Sequence, residues 1–220
     1  MIIKRDYYLN KIIDKRENGR IKIITGIRRC GKSYLLFNLY QEYLLSQGIK
    51  EEQIIAIALD EIDNLEYRNP FRLNEYIKEK TKNRNQMYYI FIDEIQLSEA
   101  VSNPYIDSKE KNVTFVDVLL GLMKRNNVDI YVTGSNSKML SSDVLTQFRD
   151  RGNEIHVNPL SFAEVYDLYE NKESAFEHYI VYGGMPYIYT LKSDEEKNQY
   201  LKDLFRETYI KDILERNNIQ

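Results

Sequence analysis

The sequence predicts an α/β protein, with a largely parallel sheet covered by helices on both faces and a smaller helical segment after it. Three observations carry this expectation. Short β-branched runs alternate with stretches of helical period, glycines cluster where the first run gives way to the first long helix, and strand signals fade after residue 158. A chain of 220 residues with 43% apolar content can bury one large core and a small second one.

The first strand is expected over residues 21–25, the run IKIIT. Leu35, Leu36, Leu39, Tyr40, Tyr43 and Leu44 then recur at helical spacing as far as Gly48, a helix stop. A second strand is expected over 54–59, a helix marked by Leu73, Tyr76 and Ile77, and a third strand over 88–92. Residues 97–113 are polar and expected as a surface loop, with a contact role as the alternative. Thr114 caps a helix carrying Val116, Leu119, Leu120 and Met123, and strands follow over 130–133 and 155–157. Beyond them, Ser161 with Glu164 and Ser193 with Glu196 form capping boxes, the second before Tyr200, Leu201, Leu204 and Phe205. The expected division is a core over 1–158 and a helical domain over 159–220. The last helix has no stop signal, so the chain reads as part of a longer protein.

The net charge of −3 gives no overall basic field, so nucleic acid would need a local basic patch. Cys30 is the single cysteine, which excludes an intramolecular disulfide framework. With no leader pattern and no run of about 18 apolar residues, the expected setting is the cytoplasm, with no membrane partner.

The stretch ITGIRRCGKSYLL fits G-x-x-x-x-G-K-S between a strand and a helix. Glycines let the backbone aim its N–H groups inward, and the helix N-terminus adds positive potential, so residues 26–34 are the candidate phosphate cradle. These are Gly26, Ile27, Arg28, Arg29, Cys30, Gly31, Lys32, Ser33 and Tyr34. Lys32 would reach the β- and γ-phosphates and Ser33 would ligate Mg2+. Arg28 and Arg29 either neutralise phosphate or face outward, and Cys30 reads as a small loop residue. The alternative for the whole stretch is a glycine-rich turn.

MYYIFIDEIQ ends an apolar strand in Asp93 and Glu94. Consecutive residues at a strand end point different ways, so Asp93 would hold the metal while Glu94 acts as general base on water. IYVTGSNS ends another strand in small polar residues: Asn136 or Ser135 would touch the γ-phosphate with support from Thr133, or the segment merely caps a helix. Arg149 and Arg151 precede the last strand, either as surface cations or as a catalytic arginine inserted into a neighbouring copy. In VYGGMPYIY, Gly183, Gly184 and Pro186 permit a close approach to nucleotide from the tail side, or form an interhelical turn. His156 and His178 read as structural.

ITGIRRCGKSYLL, YYIFIDEIQ, DIYVTGSNSKMLSSDVLTQFRDRG, VNPLSFAEVY and YGGMP together resemble the bacterial and archaeal AAA+-like P-loop ATPases of the ASCE division that carry a C-terminal domain of unknown function. The resemblance runs over nearly the whole chain. It implies a five-stranded parallel core in the order 5-1-4-3-2, a small helical lid, ATP with Mg2+, Asn136 as sensor, and about half of the natural protein beyond this chain. It does not choose between Arg149 and Arg151, nor between action within one copy and across a homo-oligomer. The expected activity is ATP hydrolysis that drives or regulates a partner or attached domain. The alternatives are a slowly hydrolysing ATP/ADP switch and a nucleic-acid-dependent ATPase, with a small-molecule kinase ranked below them.

Overall fold

The computed structural model describes residues 3–105, 112–134, 148, 151–210 and 214. Among these, the strands are β1 (Ile21–Thr25), β2 (Ile54–Ala58), β3 (Tyr88–Asp93), β4 (Val101–Ser102), β5 (Asn112–Val113), β6 (Val128–Thr133) and β7 (Gly152–His156). Five of them pair in parallel in the order β2-β3-β6-β1-β7. With the two short strands left out of the count, this reads 5-1-4-3-2 from the β7 edge. The short strands β4 and β5 pair with each other antiparallel, within the segment expected as loop.

Side chains alternate between the faces of the sheet, and each face has its own helical layer. Ile21, Ile23, Ile90, Ile92, Ile130 and Val132 pack with Leu73 and Ile77 of the helix Pro70–Lys80 and with Leu119 and Leu122 of the helix Phe115–Leu122. Ile24, Phe91, Tyr131 and Ile155 face the other way, against Tyr8 and Ile12 of the helix Asp6–Ile13 and against Leu35, Leu36, Leu39 and Tyr40. Those last four residues lie on a composite helix that starts as Lys32–Tyr34, passes through a π segment at Leu35–Tyr40 and ends as Gln41–Ser46. Gly48 closes it at φ +83°, as expected.

The second face also holds a buried polar network. Lys22 on β1 is paired with Asp129 on β6, and both are buried. Asp129 also accepts the Tyr131 hydroxyl at 2.6 Å and the Glu17 N–H at 2.8 Å. Burial pushes the Lys22 ammonium down from its usual range, and Asp129 opposes that shift.

After β7 come the helices Phe162–Tyr166, Lys172–Tyr182 and Asp194–Asp203, with a 3-10 turn at Pro186–Thr190 and a π segment at Leu204–Ile210. Both predicted capping boxes form. Ser161 N–H reaches Glu164 Oε2 at 2.8 Å, and Ser193 N–H reaches Glu196 Oε2 at 3.0 Å. Tyr182, Met185, Ile188 and Leu204 make a small tail core, onto which Ile27 of the glycine-rich loop packs. Among the described residues, no helix is long and apolar enough to cross a membrane.

Candidate functional site

The loop after β1 turns on residues with positive φ. Gly26 sits at φ +147°, where a Cβ would lie 2.2 Å from the Val157 carbonyl oxygen, and Gly31 at φ +95° is the N-cap of the composite helix. Arg29 takes φ +64° without being glycine. Lys32 is buried, and its ammonium donates back to the carbonyls of Gly26 at 3.1 Å and Ile27 at 3.0 Å, which closes the loop into a ring. Cys30 is fully buried with its thiol on the Val157 carbonyl at 3.3 Å. Burial pushes that thiol up despite the nearby charges of Lys32 and Arg5, consistent with a packing role.

Because the sheet is parallel, β3, β6 and β1 all end on the side where this loop begins, with β6 between the other two. Asp93, the last residue of β3, is buried and accepts the hydroxyl of Thr133, the last residue of β6. Glu94 follows in the left-handed region at φ +51°, its N–H donating to Thr133 Oγ1 at 3.3 Å and its carboxylate accepting from Gln96. Burial raises the Glu94 carboxyl above the ordinary carboxylate range. The negative charge of Asp93 adds to the rise, while the Gln96 hydrogen bond and the Lys32 charge oppose it.

On the tail side the same loop walls a cavity of about 620 Å3. Its lining includes Arg5, Tyr34, Pro186, Tyr187 and Tyr200. Pro186 Cγ comes within 3.7 Å of where a Gly31 Cβ would stand, and the Arg29 guanidinium lies 5.9 Å from the Tyr200 ring centre. Of the GGMP stretch, Pro186 faces Gly31 of the loop, and Met185 belongs to the tail core on which Ile27 packs. The paired glycines serve the turn: Gly183 ends its helix at φ +70°, and a Cβ on Gly184 would sit 1.9 Å from the Leu160 carbonyl oxygen. The Leu160 N–H in turn donates to the Gly184 carbonyl at 2.7 Å.

Arg151 stands at the other end of the sheet. Its carbonyl accepts the Ile21 N–H at 3.0 Å, at the start of β1, so Arg151 is a strand length from the loop of its own chain. Ser135, Asn136 and Arg149 lie outside the described residues. His156 Nδ1 is 3.1 Å from the Thr25 hydroxyl, and His178 sits among Tyr169, Tyr182 and Tyr189, its imidazole lowered by burial and then by the Lys197 charge. Sequence reasoning missed Arg5, Tyr187, Tyr200 and Gln96. Gln96 was within reach of a local reading, two residues past Glu94, whereas the others meet the loop only through the tertiary fold.

A profile of the AAA domain family matches residues 18–166, and one for a domain of unknown function matches residues 173–220. An uncharacterized protein of Haemophilus influenzae is 30% identical over 226 residues, covering 100% of this chain and 52% of the relative. One of Methanocaldococcus jannaschii is 29% identical over 237 residues, covering 100% of this chain and 48% of the relative. The chain thus spans about half the length of the curated relatives it matches. In fold it is similar to the Walker-type ATPase of Pyrococcus abyssi, at 15% identity and a TM-score of 0.54 over 99% of this chain and 72% of that one. PCH-2 of C. elegans gives 16% and 0.52 over 82% of this chain and 50% of that one. With its profile matched over more than half of the sequence, and with this sheet and loop, the chain belongs to the AAA domain family.

Proposed function

We propose that the protein binds ATP with Mg2+ and hydrolyses it, as a module that drives or regulates a partner or an attached domain. The observation that carries this reading is the convergence at the strand ends: the Lys32 loop after β1, Asp93 and Glu94 after β3, and Thr133 between them on β6. Backbone N–H groups of the loop and the Lys32 ammonium bind the phosphates. Asp93 and the Ser33 hydroxyl are hard oxygen donors. That donor set suits a cation that keeps several waters and shares the phosphates. When bound, Mg2+ supplies charge neutralisation to the β- and γ-phosphoryl oxygens.

Glu94 takes a proton from the attacking water, and burial, by raising its carboxyl, strengthens it as a base. The nucleoside lies in the aromatic cavity under Tyr187 and Tyr200, with residues 159–220 acting as a lid on a core of residues 1–158. Asn136 serves as the γ-phosphate sensor, and Arg149 or Arg151 is supplied to a neighbouring copy. We place this activity in the cytoplasm.

A slowly hydrolysing switch is the second reading. It is favoured by the Gln96 contact, which holds the Glu94 carboxylate away from free rotation. The test is Mg-ATP hydrolysis as a function of protein concentration, with Glu94→Gln as control. Specific activity that rises with concentration and vanishes in the variant supports the first reading. Firm ATP binding with negligible turnover supports the second, and absence of ATP binding overturns both.

A further inference from the structure

Arg5 joins three stretches of chain that are remote in sequence. It precedes the helix Asp6–Ile13 and is 2% exposed. Its Nε–H donates to Glu164 Oε1 at 2.9 Å, and its two terminal nitrogens donate to the carbonyls of Cys30 and Asn158, each at 2.8 Å. The guanidinium carbon is 4.6 Å from the Tyr8 ring centre, and the Tyr8 hydroxyl accepts the Asn158 N–H at 3.1 Å. Three partners in three directions need a rigid fork of donors, which a lysine ammonium does not provide.

The Cys30 carbonyl belongs to the peptide that carries the Gly31 N–H. No cis peptide bond occurs among the described residues, and in a planar trans peptide the C=O and N–H point in opposite directions. Holding the carbonyl on Arg5 therefore aims the Gly31 N–H away from Arg5 and fixes its plane. That N–H is one of the loop donors at the start of the composite helix. Glu164 is itself constrained, because its second oxygen accepts the Ser161 N–H at 2.8 Å and hydroxyl at 2.9 Å. The first helix of the tail thus holds Glu164, Glu164 holds Arg5, and Arg5 holds the Cys30–Gly31 peptide.

We propose that Arg5 is a positioning residue for the phosphate loop and that docking of the tail, through Glu164, sets the orientation of the Gly31 N–H. The proposal rests on the nucleotide-binding reading above. It makes the Arg5–Glu164 ion pair a determinant of phosphate affinity, although neither side chain need touch phosphate.

Calorimetric titration with ADP, together with the Gly31 amide signal of 15N-glycine-labelled protein, tests it. Glu164→Ala and Arg5→Lys are each expected to weaken ADP binding by about 10- to 100-fold and to shift the Gly31 signal. The double variant is expected to bind no more weakly than the worse single one, because both remove the same linkage. Glu164→Gln, which keeps an acceptor, should recover part of the loss. Should Arg5→Lys fail to fold, Glu164→Ala decides alone, since that side chain borders solvent. Wild-type ADP affinity and an unmoved Gly31 signal in folded Glu164→Ala, with binding abolished by Lys32→Ala, would overturn the proposal and leave the nucleotide reading standing. No ADP binding by the folded wild-type protein overturns that reading, and the proposal with it.

Discussion

Thr133 donates its hydroxyl to the Asp93 carboxylate and, through the same oxygen, accepts the Glu94 N–H at 3.3 Å. One side chain on the neighbouring strand therefore orients the Asp93 carboxylate and anchors the backbone that carries Glu94. Thr133→Val keeps the shape and removes both bonds, so the Mg2+ concentration for half-maximal ATP turnover should rise about 10- to 100-fold, while Thr133→Ser stays near wild type. Turnover measured across a Mg2+ titration checks it, and an unchanged curve for the valine variant would detach Thr133 from the metal site.

Glu94→Gln should lower turnover by about 10²- to 10⁴-fold with ATP binding retained. A base works deprotonated, so the acid limb of the kcat–pH profile should lie above the ordinary carboxylate value, following the direction in which burial moves Glu94. Gln96 donates to the charged carboxylate and so lowers its pKa; Gln96→Leu removes that donor, and the limb should move to still higher pH. A limb that stays put would mean another group sets the profile.

Lys22→Met leaves the Asp129 carboxylate buried without its cation, and about 3–5 kcal/mol of stability should be lost. Lys22→Met with Asp129→Asn removes the charge yet keeps an acceptor for the Tyr131 hydroxyl and the Glu17 N–H. Denaturant melts should show the double variant recovering much of the loss. Equal losses in the two would argue that packing, and not the orphaned charge, sets the cost.

Gly26→Ala meets the Val157 carbonyl and Gly184→Ala meets the Leu160 carbonyl, both backbone atoms that cannot swing away. Each should cost about 1–3 kcal/mol, and Gly26→Ala should also abolish ATP binding. Gly48 is the control. It shares the positive φ of Gly26, but its added Cβ would meet nothing within 4 Å. Thermal melts that rank Gly48→Ala as the most damaging of the three would contradict this account.

Local features of this fold were legible in the sequence, and remote ones were not. The two capping boxes, the Gly48 stop and the 26–33 loop announce themselves within four to eight residues, because a cap or a tight turn is a local backbone demand. The Asp93–Glu94 pair is legible for the same reason, as charge at the end of an apolar run. The helix Asp6–Ile13 has no side-chain cap at Arg5 to announce its start, and the helix Lys172–Tyr182 leaves Phe176, Ile180 and Val181 exposed, so its apolar residues trace no single buried face. Lys22 and Asp129 sit where alternation suggests solvent, and only the sheet pairing brings them together. Arg5 reaches partners 25, 153 and 159 residues away, a distance over which no pattern in the sequence speaks.

The two family profiles meet between residues 166 and 173, yet one cavity is walled from both sides of that divide. Arg29, Gly31 and Tyr34 form one wall, with Pro186, Tyr187 and Tyr200 opposite. A recombination break at the divide would splice together two halves whose facing walls had changed in different lineages. A working chimera between relatives, joined at the divide, would therefore need to exchange those opposing residues together.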